Sequence, residues 1–224
     1  MSARLVFPDP QAAADLITFA SRAAPLGDGA VRLRAADGTL VMTSAPLAPR
    51  DLLDATPTVL GMRMLSIDPE LVCDLVVPGS SLALAPDRAT DVVLPESALT
   101  AAWAGISPPR AGWSSAGEVA ASVLAARAQA GIASVAETVP RDAGEEIVQS
   151  VRASVWGAPD EALAGLPLGA AFAAFALGFI SGEEQAQVRV AGPWRRLSLK
   201  RGHVLVRTTV RNGLTAVRAT GTSA

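Results

Sequence analysis

The sequence predicts an α+β protein, with antiparallel β-hairpins and short sheets packed around a buried apolar helix at residues 166–180 and a helical middle segment. Three observations carry that prediction. Residues 166–180 form the longest strongly apolar run, and no charge occurs between Glu161 and Glu183. Two stretches alternate apolar and polar residues on either side of a turn, one around Asp37-Gly38 and one around Lys200-Arg201-Gly202. Two capping-box patterns, Ser115 to Glu118 and Asp142 to Glu145, mark helix starts in the middle.

Taken in order, residues 4–7 read as a short strand. Asp9 then serves as N-cap and Pro10 as first residue of a helix, with Leu16, Ile17, Ala20 and Ala24 at helical spacing. Residues 30–35 and 39–43 are the arms of a hairpin whose turn is Asp37-Gly38. Strands follow at 58–67, 71–77 and 91–95, the second stopped by Pro78-Gly79. Pro108 and Pro109 forbid a regular helix in the Trp103–Trp113 stretch, which reads as a rigid crossover pinned to the core by its two tryptophans.

In the middle, a helix starting at Ser115 carries the stripe Val119, Val123, Ala126 and Ala130 and weakens at Gly131. A second, with Ile147, Val148, Val151 and Val155, closes at Trp156-Gly157. In the 166–180 helix, Pro167 stands at the first position and Leu168, Phe172, Phe175 and Phe179 form a bulky stripe. That stripe makes Phe175 a core residue, so that Phe175→Asp unfolds the chain. The helix spans about 21 Å, short of the ~30 Å that a bilayer requires. A core helix is expected, not a membrane span. The tail is read as strands at 186–190, 194–199, 203–209 and 214–219. Sliding the first hairpin by 164 residues lays Arg32-Leu33, Gly38 and Leu40 on Arg196-Leu197, Gly202 and Val204, which reads as the common look of alternating patterns around a turn glycine. The domain reading is a strand–helix–hairpin part at 1–113 and a helical segment with a β tail at 114–224, able to form one continuous domain.

Composition narrows the function classes. The single Cys73 excludes an internal disulfide and reads as a buried structural thiol in a reducing cytoplasm. No tyrosine is present, and no phosphate-binding glycine loop or nucleophile elbow occurs. One Cys and one His cannot build an ordinary zinc site, so no metal and no cofactor is expected. His203 is the only histidine, so any Ser-His or Cys-His mechanism must pass through it. At the start of a strand it reads as a surface or interfacial residue, and no catalytic residue is assigned.

Charge is polarised. Beyond Glu184 the chain has no acidic residue and carries +8, leaving −10 on residues 1–184 against a total of −2. Arg195, Arg196, Lys200, Arg201, His203 and Arg207 are therefore the candidate anion- or partner-binding residues. The reading taken is that this tail packs on acidic surface of its own chain or of a second copy. On that reading a homodimer or another protein partner is expected, nucleic acid is not expected, and there is no membrane. The function expected is a soluble, non-enzymatic binding or scaffolding protein that self-associates. The alternatives are an enzyme that grips a small anionic substrate with His203 and the tail arginines, and a secretion-chaperone-like protein.

Residues 56–61, 103–110 and 201–207 resemble stretches of conserved hypothetical proteins of GC-rich actinobacteria, a resemblance that implies no activity. The last stretch is also similar to the C-terminal hairpin of EspG-type secretion chaperones, and no site residue is carried over from it.

Overall fold

The computed structural model describes residues 3–51 and 53–208. The first half contains β1 (Arg4–Val6), α1 (Pro10–Ala23), β2 (Ala30–Ala36), β3 (Thr39–Leu47), β4 (Thr58–Ser66), β5 (Cys73–Pro78), β6 (Ala83–Ala85) and β7 (Arg88–Val93). The second contains β8 (Ser114–Ala120), α2 (Ala121–Thr138), α3 (Glu145–Gly157), β9 (Pro159–Asp160), β10 (Leu166–Pro167), α4 (Leu168–Ala176), β11 (Gln185–Ala191), β12 (Trp194–Leu199) and β13 (Gly202–Arg207). The α+β class holds, and the hairpins merge into one eight-stranded antiparallel sheet of order β5-β2-β3-β4-β13-β12-β11-β8. Small sheets β1-β7-β6 and β10-β9 flank it. Among the described residues no helix is long and apolar enough to cross a membrane.

Local chemistry explains the first half as read. The Asp9 side chain accepts a hydrogen bond from Ala12 N–H at 2.8 Å, which caps α1, and Arg63 on β4 pairs with Asp15 of that helix. Asp37 and Gly38 both take positive φ, 51° and 73°, as a tight hairpin turn requires.

Three local readings in the second half fail for identifiable reasons. Residues 114–120 are strand β8, not a helix start: Glu118 accepts from Gln187 Nε2 at 2.6 Å across to β11 instead of reaching back to a cap. The helix begins at Ala121, whose N–H finds the Glu184 carbonyl at 2.9 Å. Helix α2 runs straight through Gly131, because Trp156 lies against it: a Cβ there would sit 2.2 Å from the indole. The glycine brings α2 and α3 together. Helix α3 starts on Gly144 without a side-chain cap, so Asp142 takes no part.

The apolar run also divides differently. Leu166 and Pro167 pair with β9, and the helix covers only Leu168–Ala176. Its buried face is the small-residue stripe of Gly169, Ala170, Ala171, Ala173 and Ala174, which lets α4 lie close to the sheet. Phe175 is 39% exposed, so the expectation that it is core is corrected; Phe179, past the helix end, is fully buried. The strand expected at 214–219 lies outside the described residues.

The order of elements repeats. Helix α1 leads into β2, β3 and β4, and helix α4 leads into β11, β12 and β13. The third strands of each set, β4 and β13, pair antiparallel at the middle of the sheet. The 164-residue slide placed β2 over β12, one strand away from this correspondence. At the seam, Gly61 on β4 and Gly202 on β13 face the helices; a Cβ would fall 1.9 Å from Leu177 at the first and 2.6 Å from the Phe179 ring at the second. Phe179 also stacks on Phe19 of α1, with ring centroids 6.3 Å apart. Replacing Phe179 by Ala is expected to cost about 3–5 kcal/mol in a urea titration, whereas Phe175→Ala costs less than ~1 kcal/mol. Equal losses at both positions would contradict this packing.

Candidate functional site

The opposite face of the sheet carries a second apolar cluster, built from Ala30, Ala45, Leu60, Val76, Trp103, Trp194 and Leu205. It exists because the connector between the halves crosses this face. Leu99 N–H bonds the Val76 carbonyl at 2.7 Å, and Trp103 Nε1–H donates to Asp28 at 2.8 Å. Arg32 donates to the Ala104 carbonyl, and Trp113 Nε1–H to Pro109 at 2.9 Å. The crossover pinned by its tryptophans is therefore what the chain forms.

Between this connector and the sheet lies a groove of about 350 Å³, within the usual range of ligand sites. Side chains alternate along a strand, so the groove residues fall into rungs. One rung runs Ser198, His203, Met62, Thr43, Arg32 across β12, β13, β4, β3 and β2. Four strand spacings make it about 19 Å long. The neighbouring rungs place Arg196, Leu205 and Leu60 on one side and Met64, Val41 and Arg34 on the other. Ile106, Pro108, Pro109, Arg110 and Trp113 supply the connector wall.

The floor is apolar, and the rim carries Arg32, Arg34, Arg110 and Arg196, with no Asp or Glu lining the groove among the described residues. These arginines are not equivalent. Arg32 makes a bidentate pair with Asp74, both bonds at 2.7 Å, and this holds the Asp74 carboxyl below the usual carboxylate range. Arg34 shares the same carboxylate at 3.9 Å. Arg196 lies over the Trp113 ring, 4.6 Å from its centroid.

The tail residues named from the sequence separate. Arg196 and His203 line the groove. Arg195, next along β12, points to the other face and donates to the Ala164 carbonyl at 3.2 Å. Lys200 and Arg201 stand exposed at the β12–β13 turn, and Arg207 is exposed at the end of β13. The sequence alone does not mark Arg32, Arg34, Met62, Met64 and Arg110 as site residues. The alternation of charged residues in 30–35 held the signal for Arg32 and Arg34, but only the strand order brings them beside the tail. Among the described residues no group of three or more His, Cys, Asp and Glu side chains could hold a metal ion.

Two family models match the chain: residues 1–105 match the domain of unknown function DUF8010, and residues 108–211 match the domain of unknown function DUF8185. No curated protein matches it. Solved structures similar to it include the DNA polymerase sliding clamp of Caulobacter crescentus, at 11% identity and a TM-score of 0.47, over 96% of this chain and 67% of the clamp. The DNA polymerase III beta subunit of Thermotoga maritima is similar at 14% identity and a TM-score of 0.48, over 92% and 64%. The sliding clamp of Bartonella birtlesii bound to griselimycin gives 11% and 0.49, over 96% and 67%. The chain thus spans about two thirds of the length of these clamps.

These findings correct two expectations. The structures it is similar to are sliding clamps, not a self-associating scaffold, a small-anion enzyme or a secretion chaperone. They are named for a DNA polymerase, against the expectation that nucleic acid is no partner. The part of its physical premise that concerns the chain's own acidic surface fails too. Among the described residues no carboxylate lies within ion-pair distance of Arg189, Arg195, Arg196, Lys200, Arg201 or Arg207. The acidic residues of the first half pair instead with Arg4, Arg32, Arg34 and Arg63.

The groove also makes a pH prediction. His203, part-buried with Nδ1 3.0 Å from Ser198 Oγ, titrates below the ordinary histidine range, first because burial disfavours the charged ring and second because Arg196 repels it. The unfolded chain therefore binds this proton at a higher pH than the folded chain does. Its contribution to stability is present above the unfolded pKa of about 6.5 and is lost as pH falls from there through the folded value. The urea midpoint should drop between about pH 7.5 and about pH 5, and His203→Gln should reduce that drop. An identical drop in the variant would contradict the assignment.

Proposed function

We propose that the groove docks a short extended peptide segment of a partner protein, one that carries apolar side chains and net negative charge. The observation that supports this reading is the groove's composition: an apolar floor of Leu60, Met62, Val41 and Leu205 beside Arg110 and Arg196, which pair with no carboxylate among the described residues. An apolar side chain removed from water onto that floor supplies affinity at roughly 25 cal/mol per Å² of surface buried. The arginines select the sign of the ligand and speed its encounter. Met62 and Met64 are unbranched and adaptable, which suits a floor that accepts more than one side chain.

The aromatic residues favour a peptide over a nucleobase in this groove. Trp103 is buried with its N–H committed to Asp28, and Arg196 lies over the Trp113 ring. Single-stranded nucleic acid sites use open aromatic faces as stacking platforms.

The test is an array of octapeptides composed of Leu, Phe, Met, Ser, Gly and either Asp or Glu. It is run beside short duplex and single-stranded oligonucleotides with the full chain. Acidic apolar peptides should bind in the micromolar range, and Met62→Glu should weaken them at least tenfold without lowering the melting temperature appreciably. Binding of oligonucleotides alone, or peptide binding unaffected by Met62→Glu, would overturn the reading.

A further inference from the structure

We infer that Arg196, held on Trp113, is the residue that reads a carboxylate of the docked segment and so determines which segments the groove accepts. The inference rests on the docking reading above and assigns its acidic contact to one corner of the groove.

Two other arginines on the rim, Arg32 and Arg34, cannot play this part. Arg32 already gives three hydrogen bonds, two to Asp74 and one to the Ala104 carbonyl, and Arg34 leans on the same carboxylate. Arg196 differs in three respects. Its Nε–H is shut off from solvent and meets no acceptor among the described residues. Directly across the ladder on β11 stands Arg189, so two like charges face each other on neighbouring strands, and neither pairs with a carboxylate among the described residues. Burial first and Arg189 second depress the guanidinium.

Like charges opposed across a ladder are destabilising, and a buried donor without a partner is costly. An anion beside the guanidinium offsets the like-charge repulsion. The Trp113 ring lies against the guanidinium, and Arg196 lines the groove. The two terminal nitrogens of a guanidinium form an end-on fork that matches the two oxygens of a carboxylate. The stacked guanidinium is already fixed in orientation, so little side-chain freedom is lost on binding. Arg110, on the connector wall of the same groove, adds a second cation near the site.

The experiment takes the tightest acidic octapeptide of the array and its isosteric amide, Asp to Asn or Glu to Gln, both labelled with fluorescein. Anisotropy is measured with the full chain. Wild type should prefer the acid by about tenfold, the size expected for a charge-assisted pair. Arg196→Gln should bring acid and amide within twofold of each other, while Lys200→Gln at the exposed turn keeps the tenfold preference. Trp113→Leu leaves the charge but removes the stack, and it should reduce the preference; it also serves if Arg196→Gln fails to fold. A tenfold preference that survives both groove variants overturns this inference and leaves the docking reading standing. Failure of every peptide to bind overturns both.

Discussion

Everything in the molecule depends on how closely Phe179 approaches the middle of the sheet. The seam between the two halves is the β4–β13 ladder, and on its helical side Gly61 and Gly202 have no side chains. The gap receives Leu177 and Phe179 from the turn after α4, and Phe179 then reaches Phe19 on α1. One aromatic ring thus touches the helix of the first half and strand β13 of the second. A methyl group at Gly202 would displace that ring, and one at Gly61 would displace Leu177. Closing the seam this way aligns eight strands, and only an aligned sheet carries Arg32 from one half and Arg196 and His203 from the other into a single groove.

The two faces of the sheet serve different ends. The helical face is filled by large apolar side chains and alanines in a packed core, where volume is the controlling quantity. The opposite face has a smaller apolar cluster roofed by a connector rich in proline and tryptophan. Prolines limit the conformations that the connector can adopt, and the Trp103–Asp28 and Arg32–Ala104 bonds fix it beside β2. A wall built from a constrained loop leaves a groove, whereas a helix laid across the same face would have covered it.

Legibility in the sequence followed the range of the interactions. The Asp9 cap, the Asp37-Gly38 turn and most strands were readable, because neighbouring residues decide them. Residues 114–120 were misread because Ser115 and Glu118 do carry a capping pattern; a partner some seventy residues away, Gln187 on β11, claims the glutamate. Phe175 was misjudged because the apolar run has two stripes and sequence alone does not say which one faces the sheet. The buried stripe is the small one, since close approach of α4 is what the seam demands. The candidate site was half visible. Arg196 and His203 were named, and the tryptophan-flanked connector was recognised as a crossover. Arg32, Arg34 and Met62 could not be linked to them without the order of strands in the sheet. Arg195 was grouped with Arg196 by charge, although alternation along β12 sends them to opposite faces.

The central claim is that ligand recognition occurs on the sheet face beneath the connector. Amide hydrogen exchange of the full chain, with and without a saturating acidic octapeptide, tests it most directly, because protection reports where a ligand lies on the backbone. The account predicts new protection in β4, β13 and the connector residues 103–113, with α2 and α3 unchanged. Protection confined to the helical layer, or the same map produced by duplex DNA in place of the peptide, would contradict it.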